Sequence, residues 1–229
     1  MAKKKKIIGE CVYCGKTATL TKEDVIPRCL FPKPRPADLV KVPACLSCNN
    51  AKSKNDDFLR DLLISDVYAQ QNSVAQTLFH QKMLSSVRQG SSVIARTAIS
   101  KGRRAPVYTP NGIYLGDCIS APIDVERVNH IFSQIIRGLY FKVRQQRIPD
   151  DYVFEVRRYH PLEFYQVLER LKQIGYHGPF RIGGEIFTCL FVDVVEDPFF
   201  TDWWLWFYDS VCVYVRTKPP ASIEKSSAA

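Results

Sequence analysis

Cys11-Val12-Tyr13-Cys14 and Cys45-Leu46-Ser47-Cys48, two C-x2-C knuckles with 30 residues between them, decide how the first quarter of this 229-residue chain is read. Each knuckle turns two thiolates toward one point. Four thiolates at about 2.3 Å from one Zn²⁺ close a tetrahedral site that contributes folding energy to a segment too short to bury a core of its own. The spacing therefore reads as a structural zinc site. A pair of disulfides is the alternative, and an oxidising compartment would favour it. The chain opens Met1-Ala2-Lys3-Lys4-Lys5-Lys6 with no apolar stretch or small-residue cleavage site behind it, so reduced thiols and a cytoplasmic setting are expected.

Working outward, 46 % hydrophobic and 12 % aromatic residues are enough for a packed core beside a small metal-stapled unit and exclude a disordered chain. The most apolar stretch, Phe199 to Val215, is cut by Asp202 and Asp209 and reads as a sheet strand, so no membrane partner is expected. The net charge of +9 is unevenly placed: residues 1–60 hold 13 Lys and Arg against 6 Asp and Glu, a net of +7, which leaves +2 for residues 61–229. Four thiolates with one Zn²⁺ withdraw about two units, and the remaining excess suits a polyanion. Taken alone, Lys3 to Lys6 reads equally well as a solvated tail.

In chain order, a basic tail (1–8) precedes the first knuckle, and Thr17 to Thr21 reads as a strand running into Lys22-Glu23-Asp24-Val25-Ile26-Pro27. Pro32, Pro34 and Pro36 make a stiff loop; Leu39 to Val42 returns as a second strand; and a helix from Cys48 carries Phe58, Leu59, Leu62 and Leu63 on one stripe. Val67 to Val87 continues as a polar helical pattern closed by Gly90. The alternation of Val93, Ala95, Thr97 and Ile99 predicts a hairpin over 91–115 that turns at Gly102-Arg103-Arg104. Asp124 caps a long helix bearing Val128, Ile131, Ile135, Leu139 and Val143; Tyr152, Phe154 and Val156 alternate as a strand; Pro161 starts a helix that Gly175 stops. Two strands, Ile186 to Val195 and Leu205 to Val215, complete the core domain (64–218), and a flexible C-terminus (219–229) follows.

The acidic dipeptide Glu23-Asp24 followed by Val-Ile-Pro, the run Cys48-Asn49-Asn50-Ala51-Lys52-Ser53 followed by Asp56-Asp57, and the two knuckles occur in the order found in the HNH endonucleases, and residues 9–63 resemble that family. The resemblance implies a zinc-stapled ββα-metal finger over residues 9–63, and the strand and helix pattern of residues 64–218 adds a larger α+β domain with antiparallel strands, so an α+β chain is expected. It implies an enzyme that hydrolyses DNA phosphodiester bonds with one divalent ion, Mg²⁺ or Mn²⁺, held by Glu23 and Asn49. Such a cation stabilises charge building on the phosphate and on the leaving 3′ oxygen while a separate base activates water. Arg28, Lys52 and Lys54 are the expected contacts to the DNA backbone, duplex ahead of single strand. A protein partner or a second copy is assigned to the C-terminal domain.

The chain departs from the family where the general-base His would stand, because Asp24 occupies that position. Imidazole accepts a proton near neutral pH, whereas a carboxylate near 3.9 is a much weaker base. Three explanations stand: a substitution made to abolish cleavage, a natural member that has lost activity, or a member in which Asp24 is a ligand and metal-bound water supplies the hydroxide. A zinc-stabilised module that binds nucleic acid without cleaving it is the alternative function. The motif's middle member has only Asp38 as a stand-in. His80, His130, His160 and His177 lie outside the motif and read as structural or surface residues, and Cys29, Cys118, Cys189 and Cys212 as small buried hydrophobes. Arg103, Arg104, Lys142, Arg144 and Arg147 form secondary basic patches, and Trp203, Trp204 and Trp206 read as core more readily than as a stacking platform.

Overall fold

The computed structural model describes residues 7–109, 111–194 and 196–220. The lysines at 3–6 and the chain end from 221 lie outside the described residues. β1 (Ile7–Glu10) and β2 (Thr17–Asp24) form a hairpin across the first knuckle, and β3 (Lys41–Cys45) adds to the far edge of β2. Ile7 and Ile8 thus belong to a strand and not to the expected tail. The second strand sits later than the expected 39–42: Pro43, which cannot donate to a ladder, is accommodated because β3 is an edge strand. α1 (Leu46–Ile64) follows directly and buries Phe58, Leu59, Leu63 and Ile64.

Residues 73–101 form short helices, α2 (Ser73–Leu78), α3 (Leu84–Arg88) and α4 (Val93–Lys101), with a wide helical turn over Phe79–Met83. α4 corrects the expected strand. Ile94 and Ala98 are also apolar, so the segment carries a helical stripe as well as a period of two, and the Ser92 hydroxyl accepts the Ala95 amide at 3.2 Å as an N-cap. The hairpin is displaced accordingly to β4 (Arg103–Tyr108) and β5 (Tyr114–Ser120), so Gly102 ends a helix and does not lie in a turn.

α5 (Val125–Arg144) forms as its pattern dictates. Asp124 Oδ1 accepts the Arg127 amide at 2.9 Å, and Ile131, Ile135, Ile136, Leu139 and Tyr140 are buried. β6 (Val153–Tyr159), α6 (Pro161–Ile174), β7 (His177–Ile182), β8 (Phe187–Asp193), β9 (Thr201–Phe207) and β10 (Val211–Lys218) complete the chain, with an antiparallel five-stranded sheet in the order β6-β10-β9-β8-β7. The expected single strand over Leu205 to Val215 is two strands. Tyr208 (φ 55°) and Asp209 (φ 51°) turn between them in left-handed conformations, and the buried Tyr208 hydroxyl donates to the Leu30 carbonyl at 3.0 Å.

Alternation along β9 sends Trp203, Leu205 and Phe207 to the face covered by α5, and Trp204 and Trp206 to the face covered by α6. The tryptophans are core residues. The buried cluster on the α5 face also takes in Cys11, Tyr13, Val25, Ile26, Leu30 and Leu59, so the cysteine-bearing segment and the five-stranded sheet share one core. No helix among the described residues is long and apolar enough to cross a membrane.

Candidate metal centre and the adjoining cavity

Cys11 and Cys14 lie in the turn between β1 and β2, which Gly15 completes at φ 69° with its amide on the Cys11 carbonyl (2.9 Å). Cys45 ends β3 and caps α1, and Cys48 lies in that helix's first turn. The four sulfurs lie within 4.8 Å of one another, with Cys14 Sγ and Cys45 Sγ 3.8 Å apart. That separation is the edge, about 3.8 Å, of a thiolate tetrahedron built on Zn–S bonds of about 2.3 Å. No disulfide joins the cysteines. The donor set fits zinc, which Cys11, Cys14, Cys45 and Cys48 would hold as a closed structural site.

The strand-to-helix junction prepares one of these thiols for ligation. The Ser47 hydroxyl lies 3.1 Å from Cys45 Sγ and the Cys48 amide 3.5 Å from it. These contacts, led by Ser47, lower the Cys45 thiol to about 6, as expected for a thiolate at a helix N-terminus. The same turn presents Asn49, whose amide donates to Thr21 Oγ1 at 2.9 Å and ties α1 to β2.

Two residues beyond Thr21, and so on the same strand face, Glu23 is buried at the end of β2. The Lys52 ammonium lies 3.2 Å from Glu23 Oε1 and donates to the Asp24 carbonyl at 2.9 Å, and Lys52 itself is only 8 % exposed. Burial raises the Glu23 carboxyl above its ordinary range, and Lys52 opposes the shift. Asp24 Oδ2 accepts from Arg28 Nε, while Oδ1 is buried and has no partner among the described residues. Asn49, Lys52 and Asp56 follow at i, i+3 and i+7 on one stripe of α1. Among the described residues, no hydrogen bond or ion pair engages the Asp56 carboxylate. Burial, with Glu23, Asp57 and Asp24 nearby, pushes it up to about 6 against the pull of Lys52.

A cavity of about 240 Å³ opens between this stripe and α5. Lys52, Asn55 and Asp56 wall it from α1, His130 and Gln134 wall it from α5, and Tyr13 lines it from the first knuckle. The Tyr13 hydroxyl is buried and has no hydrogen-bond partner among the described residues. Burial raises its pKa, and the neighbouring Glu23 adds to the shift.

Glu23, Asp24, Asn49 and Lys52 are therefore brought together. Among the described residues, the four cysteines are the only group of three or more such side chains whose ligand atoms converge, and the Glu23 carboxylate is engaged by Lys52. At Glu23 a divalent ion would have to displace the Lys52 ammonium. Lys52, expected at the DNA backbone, is an internal counter-ion, and Arg28 is exposed but paired with Asp24. Lys54 is exposed, as a backbone contact requires. Asp38 is exposed and accepts from the Gly183 amide at 3.4 Å, away from the cluster. Of the secondary basic groups, Arg144 pairs with Asp193 and Arg147 with Asp150.

In the sequence, Asp56 stands in the motif without a role, Tyr13 is unassigned and His130 reads as a structural or surface residue. The i, i+3, i+7 spacing from Asn49 was a signal for the first; none existed for His130, which reaches the cavity from a helix about seventy residues further along. Comparison with protein-family models, with curated proteins and with solved structures finds no match.

Proposed function

We propose that residues 9–63 are an HNH-type endonuclease module acting on DNA, in which Asp24 holds the general-base position and cleavage by the finger's own residues is impaired. The observation that carries this reading is the placement of Glu23 and Asp24, at the end of β2, against the Asn49, Lys52 and Asp56 stripe of α1, with four thiols converging where strand meets helix. The net +7 of residues 1–60 supplies the sign of charge that a phosphate backbone requires. The resemblance assigns Mg²⁺ or Mn²⁺ to Glu23 and Asn49, and at Glu23 such an ion competes with the Lys52 ammonium already bonded there.

That same ion pair, together with the Asp24–Arg28 bond, favours a second reading: a zinc-stabilised module that binds nucleic acid without cutting it. Plasmid nicking in Mg²⁺ and in Mn²⁺ by the native chain and by Asp24→His, with Asn49→Ala added to the His form as a control, separates the two. Nicking by the His form that Asn49→Ala abolishes is the result expected of a nuclease site. Nicking by neither form, with salt-dependent DNA binding retained, selects the binding module. Loss of DNA binding as well sinks both readings.

A further inference from the structure

Residues 67–116 carry six lysines and arginines and no Asp or Glu, a net of +6, against −4 for the remainder of 61–229, whose total is +2. They build α2, α3, α4 and most of the β4–β5 hairpin. Among the described residues, Lys82, Arg88, Lys101 and Arg103 are exposed without an ion pair, while Arg104 lies 3.5 Å from Asp117. The same segment leaves apolar side chains in water. Among the described residues, 12 of the 19 exposed large hydrophobics lie between Val67 and Val125, so the exposure marks one region and is not scattered over the surface.

These elements wall a cleft of about 940 Å³. Phe132 of α5 and Val211 and Val213 of β10, each 5 % exposed or less, form its floor. Ile99 of α4, Ile119 of β5, and Ile123 and Val125 at the start of α5 form its rim and are between 49 % and 79 % exposed. The unpaired cations stand beside it in the chain: Arg88 follows the lining Val87, and Lys101 and Arg103 follow the lining Ile99 at the end of α4. Its own charges do not cancel theirs. Asp66 and Arg158, which line it, are paired at 2.6 Å, and Asp124 caps α5, which leaves the exposed Glu126 beside Val125 as the opposing carboxylate.

Protein interiors leave few voids, so an apolar recess near the top of the roughly 300–1,000 Å³ range of ligand sites is a site for an occupant. A small molecule would fill the recess and leave the aliphatic rim in water. Covering floor and rim together calls for something wider, as a helix of about 10 Å diameter is. A second copy would set two +6 surfaces against each other, a like-charge contact that costs affinity. A bilayer surface does not reach the floor of a recess, and a DNA duplex offers phosphate but no aliphatic face to replace water over Phe132, Val211 and Val213.

We infer that this cleft docks an acidic amphipathic helix of a partner protein, independently of what the finger does to DNA. Apolar anchors at i, i+3 or i+4 and i+7 take the place of water over the floor. Flanking carboxylates meet the unpaired cations of 82–103, which steer the encounter and set the sign of the partner.

The test is fluorescence anisotropy with three labelled peptides about five helical turns long. One has leucine at the anchor positions and glutamate elsewhere, one has lysine in place of the glutamates, and one shuffles the glutamate peptide so that the apolar stripe is broken. Each is titrated with the native chain, Ile99→Asp and Lys101→Glu/Arg103→Glu. All three replaced side chains are exposed, so unfolding midpoints are expected to stay unchanged. The native chain is expected to bind the glutamate peptide with a Kd on the order of micromolar and the other two at least about 10-fold more weakly. Ile99→Asp, which sets a charge against the apolar face of the peptide, should lose about 10-fold or more. The charge reversal should weaken the glutamate peptide and strengthen the lysine one. Equal affinity for the three peptides, unchanged affinity in either variant, or no binding at about 1 mM overturns the inference. A concentration-dependent dimer that Ile99→Asp disperses in sedimentation gives the face to a second copy, and binding to phosphatidylserine vesicles that Ile99→Asp abolishes gives it to a membrane; either result also overturns it. None of these outcomes changes what plasmid nicking says about the finger.

Discussion

The Lys52 ammonium lies 3.2 Å from Glu23 Oε1, and both side chains are at least nine-tenths buried. A buried ion pair contributes little net stability as a pair, but removing one member strands the other charge, at a cost on the order of 3–5 kcal/mol. Lys52→Met is therefore expected to lose about that much at pH 7.5, and Lys52→Met/Glu23→Gln to regain most of it, in urea titrations with one slope. Equal stability of single and double variants would mean that Glu23 is not left uncompensated.

Asp56 is raised to about 6 by burial and by Glu23, Asp57 and Asp24, with Lys52 pulling the other way. A carboxyl whose pKa is higher folded than unfolded binds more protons in the native state between the two values, so stability falls as pH rises through that window. The cost is absent below the ordinary aspartate value near 4 and fully present above about 6. Asp56→Asn is accordingly expected to be more stable than the native chain by about 1–3 kcal/mol at pH 7.5 and to match it at pH 4. Parallel stability curves at all pH values would remove Asp56 from the cluster.

What the sequence disclosed and what it withheld divide along physical lines. The cysteine spacing named a metal site because the knuckles are local, and α5 was legible from Asp124 and its apolar period for the same reason. The turn at Tyr208-Asp209 was hidden because neither residue is Gly or Asn; a contact from Tyr208 to Leu30, far away in sequence, holds the conformation instead. α4 is ambiguous in sequence because its apolar residues fit two periods, and the cap at Ser92 is what decides for the helix.

Lys52 shows the same limit at the site. A lysine in a polar run reads as a surface contact to phosphate, and only the pairing of β2 with β3 beside α1 sets Glu23 opposite it and draws it inward. The antiparallel α+β architecture and the four-cysteine cluster were thus legible. The internal counter-ion and the wall that α5 adds to the cavity were not, since both depend on residues far apart in the chain.

The converging thiols are expected to bind one zinc ion per chain by elemental analysis. Because closing such a site contributes folding energy to the short segment that carries it, a strong chelator should lower the unfolding midpoint and expose Cys14 and Cys48 to thiol reagents. Cys45→Ser should have the same effect without chelator, since serine keeps the cap of α1 but offers no thiolate to the site. A metal-free chain with an unchanged midpoint would leave the cluster as four packed thiols.

Gly138 couples the helix that carries His130 to the segment that carries the cysteines. A Cβ there would lie 2.7 and 2.8 Å from the two methyl carbons of Val25, a contact that side chains do not sustain without moving. Alanine is the better helix former by up to about 1 kcal/mol, so propensity alone predicts that Gly138→Ala stabilises the chain. The overlap acts in the opposite direction, and forced repacking in a filled core costs typically 1–3 kcal/mol. The net expectation is a loss of roughly 1–2 kcal/mol at neutral pH. Adding Val25→Ala, which removes both methyl groups from the contact, should make the glycine replacement close to neutral in that background. A stabilising Gly138→Ala in the native background would mean that α5 stands further from β2 than the Val25 contact requires, and the cavity between α5 and α1 would be correspondingly wider.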